Sequence, residues 1–311
     1  MDYFILFLAV LCIAVQFNIN KLYQKKFAHG FKDMLFFPFV CGIVNVIFFT
    51  GISFVLYGEL PGFTAFSFTL AIIMAVILAF ASLVGILIMK YGQISVYSVF
   101  MMLGGMILPY FYGLIFLSET ISAARIIGLV ILICALPCSI AIPNNAKNKT
   151  KEAVKSRFYY ILCVCIFFIN GFTSIIAKIH SINISAIPAA NFIVYVNFWA
   201  AVINGVAYFI CALYIKNSEN PDNNNIKKTK TNKFHAVIII ALYAVTAGTG
   251  FLFQLISAQT VPAVVLFPFV SGGTIVLSTL TARIFFKEKV GRLALAGIIM
   301  AICGTLLFLI K

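Results

Sequence analysis

Acidic side chains are scarce in this sequence. The eight carboxylates, Asp2, Asp33, Glu59, Glu119, Glu152, Glu219, Asp222 and Glu288, all lie at the ends of apolar runs or between them. A membrane-embedded prenyl or glycosyl transferase needs clustered acids to hold a metal and a diphosphate, and this scatter supplies none. Also missing is the buried carboxylate of a proton-coupled cation exchanger, whose raised pKa lets proton and cation compete. Histidine is as sparse: His29, His180 and His235 sit at run ends, leaving no internal relay and no base beside a nucleophile. The eight cysteines fall inside apolar runs, and Cys163 and Cys165, two apart, face different sides of a helix. They read as small packing residues rather than as a zinc site or a disulfide, and no metal or cofactor is expected.

What is abundant is apolar. Hydrophobic residues make up 63% of the chain and charged ones 10%, outside the range of soluble domains. They form ten stretches, near Tyr3 to Asn20, Met34 to Tyr57, Phe66 to Met89, Ser95 to Leu117, Ser122 to Ile142, Phe158 to Ile176, Pro188 to Ile215, Phe234 to Ser257, Pro262 to Phe286 and Val290 to Ile310. Each is about long enough to cross roughly 30 Å of hydrocarbon, and without water to satisfy free peptide groups each must be a helix. The first run has Asp2 in place of a basic flank and ends in Asn20 and Lys21 with no small-residue cleavage site, so it is expected to stay as a helix. The sequence thus predicts an all-α polytopic membrane protein with ten transmembrane helices.

The net charge of +14 has a topological cause. Of the 22 Lys and Arg, 19 lie in or beside the first, third, fifth, seventh and ninth loops, leaving Arg125, Lys178 and Lys311 for the other side. Positive residues are retained in the cytoplasm during insertion, which predicts a multi-pass protein of the cell membrane with both termini extracytoplasmic. Basic charge spread over five short loops suits anionic headgroups and excludes a nucleic-acid partner. Arg283 and Arg125, near run ends, read as headgroup anchors. The loop from Lys216 to Lys233 has no apolar face and reads as a flexible connector.

The chain also repeats itself. A shift of 169 residues lays Val96 to Leu136 over Val265 to Thr305, pairing Phe100 with Phe269, Gly104 with Gly273, Glu119 with Glu288, Gly128 with Gly297 and Cys134 with Cys303. A weaker match at 153 pairs Cys12 with Cys165 and Lys25 with Lys178. The expected organisation is a first five-helix repeat over 1–142, a basic cytoplasmic linker over 143–157 and a second five-helix repeat over 158–311. An odd number of helices inserts the second repeat upside down, and two inverted repeats can rock to expose a midplane site alternately to each face.

The segments Tyr112 to Leu136 (YGLIFLSETISAARIIGLVILICAL) and Ala282 to Phe308 (ARIFFKEKVGRLALAGIIMAICGTLLF) resemble the paired glutamate and glycine signature of EamA-type carriers in the drug/metabolite transporter superfamily. That resemblance implies a transporter with a small-molecule substrate and the lipid bilayer as partner. Many members are drawn with cytoplasmic termini, whereas the lysine pattern here points the opposite way. The resemblance also implies that the first, sixth and eighth helices line a central cavity, which makes Gln16, Asn170 and Gln254 the preferred substrate contacts.

Polar stripes supply further candidates. On the ninth helix Phe267, Ser271, Thr274, Ser278 and Thr281 recur at helical spacing, and their repeat partners on the fourth are Ser98, Met102, Gly105, Pro109 and Tyr112. Two readings stand: these stripes line a wet cavity, or they are small-residue seams between close helices. Tyr243 heads a similar stripe on the eighth helix, and Asn45, Asn191, Asn197 and Asn204 read as helix-to-helix bonds. Glu119 with Lys178 and Glu288 with Lys25 are expected either to form gating ion pairs at opposite mouths or, for the glutamates, to cap the fifth and tenth helices.

Taken together these residues predict transport of a neutral or zwitterionic metabolite. The alternatives are an anion such as a nucleotide sugar or sugar phosphate met by interfacial Lys and Arg, and, of another class, a membrane enzyme or channel. Ten helices can enclose a site in one chain, as a monomer or within a homodimer.

Overall fold

The computed structural model describes residues 2–27, 31–91, 94–139, 157–218, 233–286, 292–308 and 310. Among these residues the chain is all-α, with α1 (Asp2–Lys26), α2 (Phe31–Tyr57), α3 (Ala65–Tyr91), α4 (Ile94–Phe116), α5 (Ala123–Ser139), α6 (Arg157–Ile182), α7 (Ala189–Ser218), α8 (Lys233–Thr260), α9 (Ala263–Phe286) and α10 (Arg292–Leu307). Eight of the ten are long and apolar enough to cross a membrane, while α5 and α10 are apolar but shorter. Large apolar side chains such as Ile47, Val55, Phe116 and Tyr214 are exposed, as surfaces facing lipid should be. This is a polytopic membrane protein. Most of the linker expected over 143–157 and most of the loop after Lys216 lie outside the described residues.

Two helices outrun by six residues the apolar stretches that announce them. Helix α1 continues to Lys26 rather than Asn20, because Lys and Gln propagate a helix well once it is nucleated. Helix α6 continues past Ile176 to Ile182 and carries Lys178 within it, only 4% exposed. The charge there is compensated, as described below.

The chain divides into two compact units, one of Met1–Asn18, Leu83–Ala186 and Thr249–Lys311, the other of Ile19–Ser82 and Ile187–Gly248. Each draws helices from both sequence halves, and α1, α3 and α8 are divided between them.

In the second unit α2 packs on α7. Gly205 meets Phe39, Gly42 meets Ala201 and Asn197, and Ser53 donates to Asn191, so numbers rise on one helix as they fall on the other and the pair is antiparallel. Asn45 Nδ2 donates to Asn197 Oδ1 at 3.0 Å and Asn197 Nδ2 to the Ile193 carbonyl at 2.9 Å. Asn204 turns its amide to the Ala200 carbonyl of its own helix at 2.8 Å. Asn45 is 4% exposed, and replacing it with Ala is expected to cost about 1 kcal/mol, since amide bonds between membrane helices contribute about 0.6 and up to about 1.7 kcal/mol. Thermal unfolding in detergent checks this: an unchanged midpoint would show the bond to be idle.

The first unit is built on an apolar core in which Leu6 and Val10 of α1, Met106 of α4, Leu132 and Leu136 of α5, Phe267 of α9 and Phe308, just after α10, are buried. Helices α5 and α10 are antiparallel: Gly128 meets Leu307 and Phe308, and Leu132, one turn on, meets Gly304. The repeat register is visible in the elements. Helix α9 starts 169 residues after α4 (263 − 94 = 169), and α10 starts 169 after α5 (292 − 123 = 169).

Candidate functional site

The candidate residues gather in the first unit, along two seams that the repeat makes equivalent. At the first, α4 meets α6. Gly104 lies so close to Phe167 that a Cβ there would land on the Phe167 carbonyl, Gly105 faces Asn170 and Ser174, and Gly171 faces Leu108. Both numbers rise together, so these helices are parallel. Asn170 Nδ2 crosses the seam to the Met101 carbonyl at 2.7 Å, through the space a side chain at 105 would fill. At Gly104 and at Gly105, the one glycine of the α4 stripe, the structure therefore has a small-residue seam.

Gly273 is the repeat partner of Gly104, and it meets α1 differently. Its neighbour is the Val10 side chain, not backbone. Two turns further along, Asn18 Nδ2 donates to Thr281 Oγ1 at 2.6 Å. One seam is shut backbone on backbone, while its equivalent is bridged by side chains.

The remaining candidates divide. Gln16 and Gln254 are half-buried, and neither amide has a partner among the described residues. Thr274 is 2% exposed with its hydroxyl unpartnered, and Ser271, one turn earlier, is half-buried. Phe267, at the head of that stripe, belongs to the apolar core, and Ser278 and Thr281 donate to carbonyls of their own helix. Met102 packs on the same core, and Tyr112 stacks on Phe116 at 5.3 Å between centroids. Ser98 has a partner of its own. Tyr243 falls in the second unit, its ring 4.7 Å from that of Phe37.

Two charges of the first unit, Glu119 and Lys178, converge on the turn between α8 and α9. Glu119 Oε1 accepts from the Ala263 amide at 2.7 Å and Oε2 from the Val264 amide at 2.9 Å. Lys178 Nζ donates to the Ala258 carbonyl at 2.9 Å and the Val261 carbonyl at 2.8 Å. Each charge thus sits on the helix end of opposite partial charge, the carboxylate at the start of α9 and the ammonium at the end of α8. They are 3.9 Å apart, with side-chain exposures of 12% and 5%. Glu119 caps a helix, as one expectation had it, but the helix is α9 and not α5, because the chain turns back before α5 begins. That turn runs through Ser118 at φ 51°, and the Glu119 amide returns to the Gly113 carbonyl at 3.1 Å. Gly113 leaves the room: a Cβ there would meet Glu119 Oε2 at 2.5 Å. Glu288 and the side chain of Lys25 lie outside the described residues.

Residues 157–310 match the EamA-like transporter family. This part of the chain belongs to that family. No curated protein matches the sequence. A solved crystal structure superposes with a TM-score of 0.70 over 98% of this chain and 95% of its own, at 12% identity. At that identity the likeness shows the fold alone, and it spans both halves. Over residues 157–310 the chain thus matches a family of membrane transporters of the drug/metabolite type, carriers rather than enzymes.

The sequence offered Glu119 and Lys178 as a pair, but not the ends of α8 and α9 that hold them. The signal for the pair was Lys178 itself, one of three cations, with Arg125 and Lys311, that lie outside the lysine-rich loops. A buried cation persists there only with partners, and Glu119 and two carbonyls supply them.

Proposed function

We propose that this carrier moves a small polar solute, neutral or zwitterionic, across the cell membrane by alternating access, with the lysine-rich loops in the cytoplasm and both termini outside. The observation that carries the mechanism is the inequality of the two repeat-related seams, Gly104 against the Phe167 backbone and Gly273 against the Val10 side chain. A protein that alternates between two mouths rests with one such seam shut and its equivalent loose, and exchanging the two reverses access.

The chemistry of the solute follows from what is and is not compensated. Glu119 and Lys178 are neutralised by each other and by helix ends. The unpartnered groups among the candidate residues are neutral: the amides of Gln16 and Gln254 and the hydroxyl of Thr274. Such groups stabilise a bound solute by hydrogen bonds without asking it for a net charge. Ser98, Met102, Tyr112, Asn170 and Ser271 complete the proposed lining; Asn170 keeps its side-chain Oδ1 for the solute while Nδ2 holds the Met101 carbonyl. Tyr243 stands outside it, so the proposed site is confined to the first unit.

Counterflow of a labelled panel of amino acids, polyols and nucleosides in proteoliposomes tests the reading. A neutral or zwitterionic member should exchange, and Gln16→Leu and Gln254→Leu should each slow it about 10- to 100-fold, the effect of a buried solute group left unpaired at about 1–3 kcal/mol. Exchange of sugar phosphates alone, or full activity in both variants, would overturn it.

A further inference from the structure

We propose that Glu119 and Lys178 form a two-position latch on the α8–α9 turn. In the latched position, the one in the structure, each charge holds a helix end: Glu119 the amides of Ala263 and Val264, Lys178 the carbonyls of Ala258 and Val261. In the released position the turn withdraws and the two charges close on each other as a direct ion pair. This deepens the transport reading, because it names what shuts one mouth of the carrier.

Three features carry it. First, the two charges stand 3.9 Å apart, beyond a direct hydrogen bond yet within a small side-chain movement of one, which brings N and O to about 2.8 Å. Losing the helix ends therefore leaves neither charge bare in a poorly solvated interior, where an unpaired ion is costly. Second, all four contacts are made to backbone on a single turn, between residues 258 and 264, with Pro262 inside it. The latch grips the joint between α8 and α9 and not the body of either helix. Third, Gly113 leaves just enough room for the carboxylate, so the latched position depends on a missing side chain rather than on charge alone.

The latch differs from a plain ion-pair gate in one testable respect. A plain pair survives exchange of its charges. A latch does not, because helix ends have fixed polarity: a lysine at position 119 would face the amides that start α9, and a glutamate at 178 the carbonyls that end α8.

Ser257, next to the gripped carbonyls and 1% exposed, is the reporter position. A Ser257→Cys variant of the full chain in proteoliposomes is exposed to a membrane-impermeant maleimide on either side, with the same chain lacking this change as background. Labelling should be slow in the parent. It should rise at least 10-fold, from the side opposite the lysine-rich loops, in Glu119→Gln, in Gly113→Ala and in the exchanged pair Glu119→Lys with Lys178→Glu. Gly113→Ala keeps both charges; its added Cβ falls on the Glu119 carboxylate, with the Ala263 Cβ next at 3.1 Å, so it carries the test should a charge variant fail to fold. A parent-like rate in the exchanged pair or in Gly113→Ala would overturn the latch, as would labelling from the lysine-rich side. Because maleimide reports the turn and counterflow reports transport, the latch and the solute reading can fail separately.

Discussion

Replacing Gly104 with Ala will lower the unfolding midpoint of this carrier by several degrees, whereas the same change at Gly51 will leave it at least as stable as the parent. Both glycines lie inside long helices, where Ala is the better helix former by about 0.5–1 kcal/mol. Their surroundings decide the outcome. At Gly51 nothing lies within 4 Å of the added Cβ. At Gly104 the Cβ would overlap the carbonyl, carbonyl carbon and Cα of Phe167, and backbone cannot rotate aside as a side chain tip can. Helices α4 and α6 must then part along the seam, breaking the Asn170 bond to Met101 as well. Overpacking typically costs 1–3 kcal/mol and more where backbone must move, so a loss of about 3 kcal/mol is expected. That lowers the unfolding midpoint by roughly 5 to 10 °C. Melting of both variants in one detergent checks this, and equal midpoints would mean that the seam yields.

Lys178→Met should cost as much or more. It removes the ammonium from the Ala258 and Val261 carbonyls and leaves Glu119 largely buried without its counter-charge. Breaking a buried pair by deleting one member costs about 3–5 kcal/mol, chiefly because the survivor stays uncompensated. The double variant Lys178→Met with Glu119→Gln should recover part of that loss, since Gln keeps one acceptor for the α9 amides and carries no charge. A coupling of at least about 1 kcal/mol is expected from the cycle of thermal or denaturant unfolding. Strict additivity would show that the two charges act on the α8–α9 turn independently.

Much of the frame was legible without coordinates. Ten apolar runs became ten helices because a bilayer leaves the backbone no other way to bond, and run length alone reports that requirement. The starts of α4 and α9, and of α5 and α10, kept the 169-residue offset found in the sequence, since a duplicated segment folds under the same local rules. Helix ends were less legible. An apolar count stops at the first lysine, so it ended α6 at Ile176, whereas the helix runs on to Ile182 with Lys178 compensated by residues far away in the chain.

The site divided along the same line. Local spacing offered the stripes, the family resemblance offered Gln16 and Gln254, and the sidedness of the loops offered Glu119 with Lys178 as one of two readings. It could not say that Glu119 caps α9 in place of α5, that Asn170 holds the Met101 carbonyl, or that Tyr243 falls in a different compact unit from Gln254. Helix formation in lipid is a matter of neighbouring residues and solvent, and the chain carries that information in order. Which helix end a charge satisfies depends on segments some 80 to 145 positions apart meeting in space, and no local pattern records that meeting.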